Sequence, residues 1–92
     1  MQQDAAETMA LKALAWLAGN DELLPVFLGA TGASLPDLAA RAGEAQFLGS
    51  VLDFLLQDDA WVLAFAAAAG ERPEALSAAR RALPGGEAMH WT

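Results

Sequence analysis

The sequence predicts an all-α protein, a compact orthogonal bundle of about six short helices. Three observations carry that expectation. Apolar residues recur at helical spacing along most of the chain, and no stretch of five or more residues alternates apolar and polar side chains as a half-buried strand does. Glycine or proline stands wherever the helical pattern breaks. Hydrophobic residues make up 55% of the 92 residues against 18% charged, a balance that excludes disorder of the low-hydropathy, high-charge kind. A chain of this length buries roughly 60 to 65% of its unfolded surface, which suits one modest core. Residues 1–92 therefore read as a single helical domain.

The first helix is expected over residues 4–18. Ala6, Met9, Ala10, Ala13, Leu14, Trp16 and Leu17 share one broad face, Asp4, Thr8 and Lys12 lie opposite, and Gly19 stops the run. Asn20 and Asp21 can cap a second helix over residues 22–30, with Pro25 near its first turn, where a missing N–H costs little, and Gly32 closing it. Ser34, followed three residues later by Asp37, has the spacing of a capping box and opens a third helix that runs to Ala42 and ends at Gly43.

The fourth helix, residues 44–57, carries the clearest pattern. Phe47, Leu48, Val51, Leu52, Phe54, Leu55 and Leu56 fill more than half of its circumference and leave a narrow stripe of Gln46, Gly49, Ser50, Asp53 and Gln57. This is the expected centre of the core. Asp58 or Asp59 caps a fifth helix, residues 60–69, which is apolar on every side and so reads as buried or as half of an interface. Gly70 ends it, Pro73 opens a sixth, and Pro84-Gly85-Gly86 stops that one near Leu83.

A shift of 38 residues superimposes Leu14 on Leu52, Leu17 on Leu55, Asp21 on Asp59, Phe27 on Phe65, Gly32 on Gly70 and Leu38 on Leu76. The chain then reads as two similar three-helix halves, although matches of this kind arise easily where alanine and leucine are common.

Charge limits the functions available. The formal net charge is −7, and it has a location: residues 1–70 hold nine acids against Lys12 and Arg41 alone, whereas three acids and three arginines balance in residues 71–92. The stretch FLGATGASLPDLAARAG, residues 27–43, has the outline of a helix-turn-helix, yet its second helix offers only Asp37 and Arg41 beyond leucine, proline and alanine. A helix corner used for packing is the expectation, and no nucleic acid is expected as a partner. A helix-turn-helix regulator drawing on Arg72, Arg80 and Arg81 is the alternative.

Chemistry is sparse. The chain has no cysteine and no tyrosine, and its one histidine, His90, lies beyond Pro84-Gly85-Gly86 without histidine or cysteine companions. An enzyme or metal-binding protein using His90 and acidic residues such as Asp58 and Asp59 is a second alternative. Capping already accounts for Asp58-Asp59. The glycines of GATG and PGG lack the lysine or strand context of a phosphate loop, so no cofactor is expected. MQQDAAETMA has no basic region ahead of an apolar one, and residues 60–69 fall short of the ~20 needed to span a bilayer. A cytoplasmic location away from membranes is expected.

Trp16 and Trp61 sit on apolar helices and read as core or rim aromatics, while Trp91 lies in the tail. Residues 84–92 are expected to fold back as a tail docked on the body, with Met89, His90 and Trp91 against Trp61 and Phe65; capture of the same residues by a partner is the alternative. These five are the candidate interaction residues. The segments ALAWLAGNDELLPVFLGATG, FLGSVLDFLLQDDAWVLAF and ALPGGEAMHWT give the whole chain a resemblance to a family of small bacterial proteins, a domain-of-unknown-function family found mainly in alphaproteobacteria. The resemblance implies a small helical cytoplasmic protein and assigns no functional residue. The expected role is that of a non-enzymatic interaction module with a protein partner or as a homodimer.

Overall fold

The computed structural model describes residues 1–84. Six helices follow one another: α1 (Gln3–Ala18), α2 (Leu23–Thr31), α3 (Leu35–Ala40), α4 (Ala45–Leu56), α5 (Asp59–Ala69) and α6 (Pro73–Ala82). The fold is all-α, as the periodicity requires.

The start signals act as their chemistry dictates. Asn20 Oδ1 accepts the amides of Glu22 and Leu23 at 3.1 and 3.0 Å, which satisfies donors that the first turn of α2 leaves unpaired. Ser34 and Asp37 form a capping box, the Ser34 amide donating to Asp37 Oδ2 at 2.9 Å. The backbone amide and hydroxyl of Ser34 hold the Asp37 carboxyl below its ordinary value, so this cap loosens only as pH falls through that lowered pKa. Of the two candidates before α5, Asp58 is the cap: its Oδ1 accepts the Ala60 amide at 2.8 Å.

The stop signals divide. Gly32 (φ 75°) and Gly70 (φ 69°) take the left-handed conformation, and their amides donate back to the carbonyls of Leu28 and Ala66. Gly19 and Gly43 do not. At Gly19 (φ −93°) the chain passes directly into the Asn20 cap. α3 ends at Ala40, two residues before the expected Ala42. Arg41 leaves the helix to lie 4.7 Å over the Phe47 ring and to donate to Glu44 Oε1 at 3.2 Å, and this contact holds the turn into α4.

α4 is the centre of the core. Phe47, Leu48, Val51, Leu52, Phe54 and Leu55 are buried, and α4 packs on α1 and α6, with α2 and α5 at its flanks. Everything buried among the described residues is apolar. One glycine of α4 has a packing role. A Cβ on Gly49 would lie 3.0 Å from Arg80 Nη1, so the missing side chain lets the Arg80 guanidinium cross the helix. Arg80 then donates to Asp53 Oδ1 at 2.6 Å and to the Pro84 carbonyl at 3.0 Å, which ties α6 and the end of the described chain to α4.

The 38-residue offset seen in the sequence carries into three dimensions. α1 and α4 end at Ala18 and Leu56, α2 and α5 at Thr31 and Ala69, α3 and α6 begin at Leu35 and Pro73, and both left-handed glycines obey the same offset. Trp16 of α1 meets Phe65 of α5 edge to face at 5.8 Å, and the equivalent Phe54 of α4 meets Phe27 of α2 edge to face at 5.3 Å. Each half thus places its first helix against the middle helix of the other.

Two measurements check this packing. Leu52→Ala is expected to lower unfolding free energy by about 2 to 5 kcal/mol in a denaturant titration, and a loss under about 1 kcal/mol would remove α4 from the core. Gly29→Ala, where a Cβ meets nothing within 4 Å, is expected to stabilise by about 0.5 to 1 kcal/mol, whereas Gly70→Ala is expected to destabilise by about 1 kcal/mol or more.

Candidate functional site

The candidate residues fall in two places. Met89, His90 and Trp91 lie outside the described residues, as does any contact between them and Asp58, Asp59 or α5. Trp61 and Phe65 are described. Trp61 is half-buried and stacks on Phe54, ring centroids 4.7 Å apart and planes at 21°. Phe65, one turn further along α5, is buried against Trp16. The opening beside Phe65 therefore lies between α5 and α1, with Trp16 rather than Trp61 as its second aromatic.

That opening is a groove of about 370 Å³ lined by Lys12, Ala15, Trp16, Phe65, Ala68 and Ala69. Its floor is the edge-to-face pair Trp16–Phe65, its walls are alanine methyls, and at one end Lys12 Nζ reaches Glu71 Oε2 at 3.1 Å. Half of the lysine side chain is exposed, so the pair adds little stability and serves mainly to cancel the groove's only formal charge. Beyond the groove the outer face of α5 stays open: Ala60, Leu63, Ala64, Ala67 and Ala68 are exposed, as is Leu11 on α1. Beyond Asp59 at its start α5 is apolar throughout, yet it is buried on one side only, through Val62, Phe65 and Ala66.

A second groove, of about 470 Å³, lies between α2 and α4. It occupies the same place in the other half of the repeat. Ser50, Asp53, Phe54, Ala30 and Thr31 line it at the positions equivalent to Lys12, Ala15, Trp16, Ala68 and Ala69, with Arg41, Gln46, Phe47 and Gln57 completing the lining. Its polar groups are partly engaged. Thr31 Oγ1 donates to the Phe27 carbonyl at 2.8 Å and accepts the Ala33 amide, Ser50 Oγ donates to the Phe47 carbonyl, and Asp53 holds Arg80. One unit of architecture thus yields a polar groove and an apolar one.

The residues of the alternative readings are also placed. α3, the would-be recognition helix, spans six residues with Leu35 exposed, and Arg80 is turned inward to Asp53 and Pro84. Among the described residues no three acidic side chains converge as metal ligands would. No helix of the described residues is long and apolar enough to cross a membrane.

Residues 3–86 match the family described as Protein of unknown function (DUF3572). The chain belongs to that family. The match spans all six helices and therefore both grooves. No curated protein and no solved structure matches the chain.

Sequence reasoning singled out Phe65 but missed Trp16, Ala15, Ala68 and Ala69 as a site. The usable signal was the 38-residue offset, which pairs Trp16 with Phe54 as well as Phe27 with Phe65. The equivalence has a direct test. Writing the polar groove into the apolar one, Ala15→Asp with Ala69→Thr, is expected to keep the helical fold by circular dichroism and to lower stability by only about 1 to 2 kcal/mol, through helix propensity rather than packing, because Ala15 is exposed and Ala69 only partly buried.

Proposed function

We propose that the protein is a non-enzymatic cytoplasmic interaction module, and that its working surface is the apolar groove between α1 and α5. The supporting observation is the pair of equivalent grooves. The fold accommodates serine, aspartate and threonine at these positions in one half, so packing does not require the lysine and alanines that stand there in the other. Apolar surface that the fold does not need, next to a helix whose outer face carries Leu63 at 56% exposure, supports a contact made with another molecule. The occupant that fits is a helix of a partner protein. Its anchor side chain sits over the Trp16–Phe65 pair, and the small alanines let its backbone come close. Burying one such anchor contributes about 1.5 to 3 kcal/mol.

Duplex DNA has no place in this reading, since residues 1–70 carry nine acids against two cations.

The experiment is site-specific photocrosslinking in the native cell. A photoreactive residue at Ala68, in the groove, is expected to give one discrete adduct. The same residue at the exposed Ala39 of α3 is expected to give none, and the uncharged pair Ala15→Asn with Ala69→Thr is expected to abolish the Ala68 adduct. An adduct with a second copy of the chain would identify the partner as the protein itself. Equal yields from Ala68 and Ala39, or an adduct insensitive to the groove substitutions, would overturn the proposal.

A further inference from the structure

Resting on the α1/α5 groove as the receptor, we infer that the helix it receives is basic and amphipathic, an apolar anchor flanked by lysine or arginine. A second hollow, of about 440 Å³, adjoins the groove: Ala15 and Trp16 line both, and Gly19, Asn20, Asp21 and Glu22 complete the lining of the hollow. Groove and adjoining hollow, taken together as a trough, are apolar between α1 and α5 and acidic where the chain turns from α1 into α2.

The carboxylates of that acidic end are uncommitted. Asp21 and Glu22 are exposed, and neither enters an ion pair among the described residues. The Asn20 side chain caps α2 instead, through the backbone amides of Glu22 and Leu23. At the opposite end, Lys12 is already matched by Glu71. The trough as a whole therefore presents an apolar floor and two spare negative charges.

The surroundings have the same sign. Residues 1–70 hold all seven units of net negative charge. That field repels an acidic segment and draws in a basic one before contact, and it shows itself as an association rate that falls with added salt. A purely apolar occupant would make no use of Asp21 and Glu22, whereas a cationic one gains their attraction. A helix is the conformation that meets both needs, because residues three and four apart share a face and can place a cationic side chain one turn from an apolar anchor.

The test uses the full chain and two synthetic helical peptides with the same leucine spacing, one with lysine and one with glutamate at the polar positions. The lysine peptide is expected to bind at least roughly tenfold tighter than the glutamate peptide and to weaken as salt rises from about 0.05 to 0.5 M. Two variants separate the contributions. Asp21→Asn with Glu22→Gln is expected to flatten the salt dependence, whereas the uncharged change Ala15→Asn with Ala69→Thr is expected to weaken binding at every salt concentration. Equal binding of both peptides, lost in the groove variant, would overturn the basic partner and leave the groove itself as the receptor. Binding of the lysine peptide that ignores the groove variant would reduce the effect to attraction by an acidic body and would overturn both readings.

Discussion

The packing of α4 between α1 and α6 is the constraint from which the rest of the structure follows. α4 turns Phe47, Leu48, Val51, Leu52, Phe54 and Leu55 inward, and each of these side chains contributes about 1.5 to 3 kcal/mol by leaving water. No other helix is buried over so much of its surface. The consequence is that its remaining polar residues are confined to a single edge. Gln46, Ser50, Asp53 and Gln57 stand there at helical spacing and become one wall of the polar groove. Gly49 belongs to the same constraint: α6 reaches across α4 at the one position without a side chain, and Arg80 uses that gap to reach Asp53.

A second regularity comes from the repeat. Because α1 and α4, α2 and α5 obey the same offset, the crossing of a first helix on the opposite middle helix happens twice, as Trp16 on Phe65 and as Phe54 on Phe27. A groove lies beside each crossing, lined by Trp16 and Phe65 in one case and by Phe54 in the other. What the repeat does not fix is the lining. Packing constrains the inward positions, which are aromatic or aliphatic in both halves. The outward positions have diverged, to serine, aspartate and threonine on one side and to lysine and alanine on the other. The polar lining has structural work, since Asp53 holds Arg80 and Thr31 and Ser50 bond backbone groups, so the functional reading rests on the apolar lining of the other groove.

The helices were legible because their signals are local. The capping box Ser34–Asp37, the cap at Asn20 and the left-handed glycines at 32 and 70 each involve residues within a turn or two, and their chemistry decides the backbone before any long-range contact forms. α4 was legible as the centre because its apolar arc is too wide for a surface helix. The end of α3 was not. Whether Arg41 and Ala42 continue the helix depends on Phe47, six residues beyond Arg41, offering its ring to the guanidinium. Gly43 misled for the same reason, since a turn held by a side-chain contact has no need of a left-handed residue.

The site divides along the same line. The sequence by itself determined the fold class, the six helices, the acidic character of residues 1–70 and the aromatic residues from which any apolar surface had to be made. All of these follow from composition and from interactions within a few residues. Only the tertiary structure decided that Phe65 meets Trp16 while Trp61 stacks on Phe54, that α5 leaves Leu63 and Ala68 open, and that a hollow lined by Asp21 and Glu22 adjoins the apolar groove at Ala15 and Trp16. α5 is apolar on every side, so its periodicity carries no information about which side is covered. That choice is made by the helices packed against it, through contacts between residues some fifty positions apart in the chain, as Trp16 and Phe65 are.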